Sequence, residues 1–501
     1  MLRNIGSNWV LILVTIAATY VTTPFIIHTF GTEGYGTWML ITAMTGYISL
    51  LSLGVSMACV RYLAQYVAEG DLRKVNETIG SCAGLYLAIG MVATLIGGAL
   101  MVLFWTYKIP SRFEAEAQVA FGLVVVTVAA GFVGLLPEGV MFAHHDFVRR
   151  NLVRMSGVLL RLTLTIGLLT LHASLIVLAS IQIACLAFDF GVSWFLIRRR
   201  HPAIRISFAD FNIGMVRRIL AFSVFVLLLN AGARLSFETD ALVIGAFQGV
   251  DAIPFYSVAN SFIVYLMEFV TAIAAVVSPM TTKLSTEGKT DELSEMFLKW
   301  TKVALSLTLI AGLFLFVLGP KLIGWWIDAS FERPAGQVLQ ILVVSCFVFL
   351  PVRGVAVPVL VGLGKPKTPA VAFLGAGVMN LILSLLLVRP YGLVGVAVGT
   401  AIPNVLFAAF IMAVACRELQ ITLSHCLQYV VPRATLGALP VLVLLLWFKL
   451  GLHVQSFAGL IAAGVAMVVL FSITWIFFVY RNDPYVDLRP HLVRFRVWSR
   501  A

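Results

Sequence analysis

Asn230, Arg234 and Glu238 follow one another at intervals of four residues within an otherwise apolar stretch. On a helix they share one narrow face, while Asp240 points to another side. A guanidinium on that face offers a planar fork of donors that suits a phosphate. Glu238 would hold Arg234 in place or exchange with an anionic ligand; alternatively the two simply neutralise each other as a structural pair. Asp240 stands apart as a candidate for ion or proton coupling, or for a polar lock. Five more ionisable residues, Glu138, Arg161, Asp189, Glu268 and Arg353, also interrupt apolar runs. A charge at mid-bilayer costs about 2.5 to 3.5 kcal/mol, so each should face a partner or a water-filled cavity. Pro351 and Pro358 flank Arg353 and should bend the segment that carries it.

The elements that position these residues follow from composition. The chain has 501 residues, 60% hydrophobic and 12% charged, with a mean hydropathy of +1.00. A soluble domain carries about 25% charged residues, so a soluble globular protein is excluded. Apolar windows long enough to cross a bilayer recur at 9–30, 38–62, 78–105, 117–143, 152–171, 174–197, 219–246, 254–282, 297–319, 335–361, 368–388, 391–416, 430–449 and 455–479. They predict an all-α polytopic membrane protein of 14 transmembrane helices, the first a retained span rather than a cleaved signal. The runs lack the alternation of a membrane barrel, and a helix satisfies its own backbone in lipid. With both termini placed in the cytoplasm, the even-numbered connections and the two termini together gather most of the Lys and Arg. The net charge of +12 thus reads as orientation, with the basic clusters facing anionic lipid, and not as nucleic-acid binding.

Other chemistry is sparse. The six cysteines form no Cys-x-x-Cys pair and read as small core hydrophobes. The eight histidines show no metal spacing, and His144-His145-Asp146 reads as interfacial. Gly288-Lys289-Thr290 resembles the end of a phosphate loop, but Lys283 stands where its first glycine is required. No cofactor is expected, and a carrier is favoured over an enzyme.

The chain also repeats itself. Phe30-Gly31 with Glu33 and Tyr35 recurs as Phe247-Gln248-Gly249 with Asp251 and Tyr256, and Leu136-Pro137-Glu138-Gly139-Val140 recurs as Leu350-Pro351-Val352-Arg353-Gly354-Val355. Six spans per repeat give two bundles of equal orientation, related by a pseudo-twofold along the membrane normal. The expected organisation is a six-helix bundle over 1–197 and an amphipathic cytoplasmic linker over 198–218. A second bundle follows over 219–416, then two additional helices and a basic cytoplasmic tail over 417–501. Glu138 and Arg353 hold equivalent repeat positions with opposite signs and could pair as a gate. Gly80 and Gly84, like Gly395 and Gly399, have the small-residue spacing of close helix contacts, read here as packing within the chain.

Phe30-Gly31-Thr32-Glu33-Gly34-Tyr35-Gly36-Thr37-Trp38, then Leu53-Gly54 and Arg61-Tyr62, resemble the opening of bacterial polysaccharide exporters. Leu318-Gly319-Pro320 through Trp325-Trp326 and Leu339-Gln340-Ile341-Leu342 resemble their ninth-to-tenth connection. These exporters belong to the multidrug, oligosaccharidyl-lipid and polysaccharide exporter superfamily. The resemblance implies a flippase in the bacterial inner membrane. Its substrate would be an undecaprenyl-pyrophosphate-linked oligosaccharide, an O-antigen or exopolysaccharide repeat unit. It implies phosphate contact by Arg234, with Arg61, Arg161 and Arg353 as further candidates and Asn230 beside them. Asp240, Glu238, Glu138, Glu268 and Asp189 are then the ion-coupling or gating groups. Membrane lipids and the polysaccharide polymerase or export machinery are the implied partners. The competing functions are a cation-coupled multidrug efflux carrier, which would lean on the acids, and a flippase for the peptidoglycan precursor.

Overall fold

The computed structural model describes residues 2–221, 223, 234–235, 239–452, 454, 456–481 and 483–485. Among these the chain is all-helical, with no strand. The N-terminal part comprises α1 (Leu2–Glu69), α2 (Leu72–Phe104), α3 (Ser111–Ala143), α4 (Phe147–Leu171), α5 (Leu175–Arg200) and the short α6 (Thr239–Phe247). The remainder comprises α7 (Ile253–Thr271), α8 (Ala274–Thr286), α9 (Thr290–Trp326), α10 (Ala329–Pro351), α11 (Val357–Gly362), α12 (Lys367–Glu418), α13 (Leu423–Leu450) and α14 (Phe457–Thr474).

Among the described residues, 11 helices are long and apolar enough to cross a membrane. Two of them hold two expected spans each. Helix α1 turns at Gly31 (φ 68°, ψ −177°) and α12 at Gly392 (φ 57°, ψ −134°), conformations that a side chain would strain. The one expected span without a counterpart is 219–246, most of which lies outside the described residues. Many large apolar side chains point outward, among them Leu95 at 75% and Leu171 at 80% exposure, as lipid-facing helices require.

Gly249, matched to Gly31, also has a positive φ of 102°. Where Leu350-Pro351 matches Leu136-Pro137, α10 ends in a π-helical turn over Val352–Ala356. That turn carries Arg353 between Pro351 and Pro358, so the expected bend takes the form of a π-bulge. The second proline sits in the first turn of α11, where its missing N–H costs little.

The chain divides into two compact units, one made of 1–234 with 238–254, the other of 235–237 with 255–501. In the first unit, the 250–254 segment lies directly on α1: a Cβ at Gly36 would meet the Val250 carbonyl oxygen at 1.8 Å. The glycine of the Tyr35-Gly36-Thr37-Trp38 motif therefore buys that backbone approach. The 198–218 linker docks on α2. Asn76 hydrogen-bonds both Ala203 O and Arg205 N at 3.1 Å, and Ser81 Oγ accepts from Asn212 N at 3.0 Å. Gly80 and Gly84 lie beneath it, against Ser207 O and the Phe211 ring. Phe208, Phe211 and Ile213 remain exposed.

In the second unit, Gly395 and Gly399 let the two halves of α12 meet at Leu387 and Ser384. Helices α13 and α14, which have no counterpart in the repeat, pack on α9 through Val317, Leu318, Val441, Leu445, Leu460, Ala463, Met467 and Phe471.

Candidate functional site

Helix α4 carries a basic face. Arg150, Arg154 and Arg161 fall at i, i+4 and i+11, within a narrow arc of one side of the helix. Glu138 on α3 takes Arg154 as a bidentate partner, with Nε to Oε1 at 3.1 Å and Nη2 to Oε2 at 2.8 Å. Arg150 Nε stands 3.7 Å from the same carboxylate. Glu138, expected to gate against Arg353, is thus engaged by two arginines of its own unit. Asp189 on α5 presses against the same face, where Gly157 leaves room for it. A Cβ on Gly157 would come within 2.4 Å of Asp189 Oδ1. That oxygen is buried and has no hydrogen-bond partner among the described residues.

One step further along the face, Arg161 lines a cavity of about 300 Å³ enclosed by the first half of α1, the start of its second half, α4 and α5. No ion pair to Arg161 is present among the described residues, although Asp189 is close enough to share its field with Cys185. Of the four expected site residues in 1–197, Glu138, Arg161 and Asp189 therefore gather along one face of α4, and Arg61 does not join them.

Arg234 is half-buried and reaches α1, where its Nη2 donates to Ser49 Oγ at 3.1 Å. The same turn of α1 also holds Thr239, whose Oγ1 hydrogen-bonds Tyr47 OH at 2.7 Å. Asp240, next along α6, is buried at 3% exposure. Asn230 and Glu238, expected on the same face as Arg234, lie outside the described residues. Arg61 is exposed near the end of α1, with its guanidinium 5.9 Å from the Tyr62 ring centroid.

The second unit holds Arg353 and Glu268. Arg353 packs its guanidinium 5.1 Å from the Phe373 ring centroid and 5.8 Å from that of Phe349, a cation over aromatic faces. Glu268 is exposed on α7 and makes no ion pair among the described residues. The structure does not bring these two together with each other.

Sequence reasoning passes over two charges that the fold uses. Arg154 lies within the expected 152–171 span and Lys302 within 297–319, so an ionisable residue inside an apolar run was the available signal for both. Lys302 is fully buried and donates to Asp483 Oδ2 at 2.5 Å. Tyr429 OH donates to Asp483 Oδ1 at 2.7 Å, and the Lys302 ammonium sits 4.6 Å from the Tyr429 ring centroid and 5.2 Å from that of Tyr480. The tail expected to be merely basic and cytoplasmic thus contributes a buried acid that joins α9 to α13.

Comparison with known proteins sets these arrangements in a family. A profile described as polysaccharide biosynthesis protein matches residues 1–285, which contain the α4 face, the cavity and Arg234. The uncharacterized membrane protein EpsK of Bacillus subtilis is 22% identical over 418 residues, covering 80% of each chain. A putative O-antigen transporter of Shigella flexneri is 22% identical over 394 residues, covering 77% of this chain and 90% of its own. Among solved structures, the lipid II flippase MurJ in an inward closed conformation matches with a TM-score of 0.69 at 14% identity, covering 93% of this chain and 99% of that one. An inward-facing MATE multidrug transporter of the MOP superfamily matches with a TM-score of 0.68 at 17% identity, covering 81% and 98%. The two structures share the fold, and the profile, spanning more than half of the sequence, makes this multi-pass membrane chain a member of the polysaccharide biosynthesis protein family.

Proposed function

We infer that the protein is a flippase that moves an undecaprenyl-pyrophosphate-linked oligosaccharide, an O-antigen or exopolysaccharide repeat unit, across the bacterial inner membrane by alternating access. The observation that carries this reading is the family match over the very segment that holds arginines inside the apolar helices. A pyrophosphate cannot cross about 30 Å of hydrocarbon bare, and an arginine inside a span both attracts the anion and is itself too costly to keep there without use. Arg234 is the residue we assign to the phosphate, positioned by its hydrogen bond to Ser49. Asn230 neighbours it in sequence, and Arg61 and Arg353 are secondary contacts. Asp240, Glu238, Glu268, Asp189 and Glu138 would serve coupling or gating. The lipid tail would stay in the bilayer while the glycan passes through a polar lumen.

The working organisation is two six-helix bundles, 1–197 and 219–416, about the 198–218 linker, with both termini cytoplasmic. Residues 417–501 add two further helices and the tail. Anionic membrane lipid would hold the basic inner face, and polysaccharide polymerase or export proteins would receive the product.

A peptidoglycan-precursor flippase is the second reading, favoured by the extent of the fold match to MurJ, 93% of this chain. Deleting the gene separates the readings. Loss of surface polysaccharide with undecaprenyl-linked glycan accumulating inside supports ours. Normal polysaccharide with arrested cell-wall synthesis, or with drug sensitivity alone, overturns it in favour of a precursor flippase or an efflux carrier.

A further inference from the structure

The cavity beside Arg161 has a polarity that a phosphate does not match. Thr15, Thr19 and Thr22 stand on one face of α1 and line its wall. Each donates its hydroxyl proton to a carbonyl one turn back, Thr15 to Leu11 O at 2.8 Å, Thr19 to Thr15 O at 3.0 Å and Thr22 to Ala18 O. A hydroxyl whose only proton is committed presents lone pairs alone. The wall is therefore a row of acceptors. Thr23 and Thr165 also line the cavity and make no hydrogen bond among the described residues, so they can give or take. Arg161 supplies guanidinium donors and is bound by no carboxylate among the described residues.

A row of acceptors repels phosphate oxygens, which at neutral pH are acceptors themselves. Sugar hydroxyls, by contrast, bring donors to such a row, and a carboxylate on the ring can take two parallel N–H bonds from arginine. The volume of about 300 Å³ lies at the small end of ligand pockets, enough for a single ring and its substituents.

We propose that this cavity is a glycan subsite: it seats one sugar ring of the lipid-linked substrate, whose hydroxyls donate to Thr15, Thr19 and Thr22 while Arg161 takes a carboxylate on that ring. The assignment rests on the flippase reading above and adds to it a selectivity for acidic glycans. It also separates the roles of the two arginines, Arg234 for the diphosphate and Arg161 for the sugar.

The test uses the full chain in proteoliposomes with three fluorescent polyprenyl diphosphates. One carries a glucuronate-terminated disaccharide, one a glucose-terminated disaccharide, and one no sugar. The expected order of translocation is glucuronate lipid first, glucose lipid next and bare lipid last. Thr19→Val with Thr22→Val should slow both glycosylated lipids about tenfold, toward the rate of the bare lipid, which stays unchanged. Thr19→Ser with Thr22→Ser, which restores the acceptors, should recover them. Arg161→Gln should abolish the preference for glucuronate, bringing that lipid to the rate of the glucose lipid.

Valine variants that keep wild-type selectivity overturn the subsite while leaving the flippase reading intact. So does Arg161→Gln if it slows the bare lipid equally, since that would make Arg161 a phosphate ligand. Equal rates for the two glycosylated lipids in the wild type overturn the acidic-ring assignment. A wild-type protein that moves none of the three lipids overturns the flippase reading, and the subsite with it.

Discussion

Replacing Lys302 with methionine should release the C-terminal tail, and the structure sets how far. Methionine nearly matches lysine in length, so the change removes a charge with little change in packing. Both side chains of the Lys302–Asp483 pair have 0% exposure. Asp483 would keep its hydrogen bonds from Tyr429 OH at 2.7 Å and Tyr485 N at 3.0 Å but lose the ammonium at 2.5 Å. Removing one partner of a buried pair costs about 3–5 kcal/mol, because the other charge stays behind unpaired. At 1.36 kcal/mol per decade this is roughly a few hundredfold to a few thousandfold more opening. The opening should be local, since Asp483 follows the last span and is held by α9 and α13. Arg481, exposed two residues before it, gives a trypsin site whose cleavage rate tracks the open population when reclosing is fast. Lys302→Met should raise the rate by that factor in detergent micelles.

Lys302→Met with Asp483→Asn should restore it to within about tenfold, because asparagine keeps an acceptor for Tyr429 and Tyr485 without the charge. Wild-type cleavage in Lys302→Met, or a double variant as open as the two singles combined, would refute the argument. The pH dependence has a definite sign. Burial alone would raise the Asp483 carboxyl, but the hydrogen bonds from Lys302 and Tyr429 outweigh it and hold it below the usual carboxylate range. A depressed carboxyl contributes stability above its unfolded value of about 4 and loses it as the pH falls toward the folded one. Tail closure should thus be flat from pH 8 to 5 and weaken only below about pH 4.

Three further outcomes are expected. Arg234→Lys should impair glycolipid transport about tenfold or more at unchanged expression, because an ammonium cannot replace a planar two-donor grip; unimpaired transport would remove Arg234 from the phosphate site. Glu138→Arg with Arg154→Glu should recover the thermal stability that either single reversal lowers, by only about 1 kcal/mol because the side chains are 31% and 45% exposed, and a double variant no better than the singles would deny the pairing. His201 packs on His144 with ring centroids 4.1 Å apart, and burial, then the neighbouring His144, push its pKa down. A histidine depressed in the fold contributes stability above about pH 6.5 that is lost on acidification, so melting temperature should fall between pH 7.5 and 5.5 and His201→Gln should flatten that slope.

Much of this molecule is decided by short-range properties of the chain. Apolar runs of bilayer length can be nothing but helices in lipid, because no water is present to satisfy an open backbone. The same holds for Gly31, where a left-handed residue is needed between the first two spans, and for Pro351 and Pro358, which flank a π-turn. The cost of a charge in hydrocarbon likewise marked Glu138, Arg161, Asp189, Asp240 and Arg353 as residues that need an explanation. What no local property could supply is the identity of each partner. Glu138 chose Arg154, sixteen residues away across a helical hairpin, and Arg353 chose two phenylalanine rings. Lys302 found Asp483 at a separation of 181 residues. Even the acceptor character of the Arg161 cavity depends on which way three threonine protons turn and on which helices enclose them. A buried charge must be compensated wherever the chain provides the means, so sequence determined that these groups would be paired or used, and only the packing of the helices decided with what.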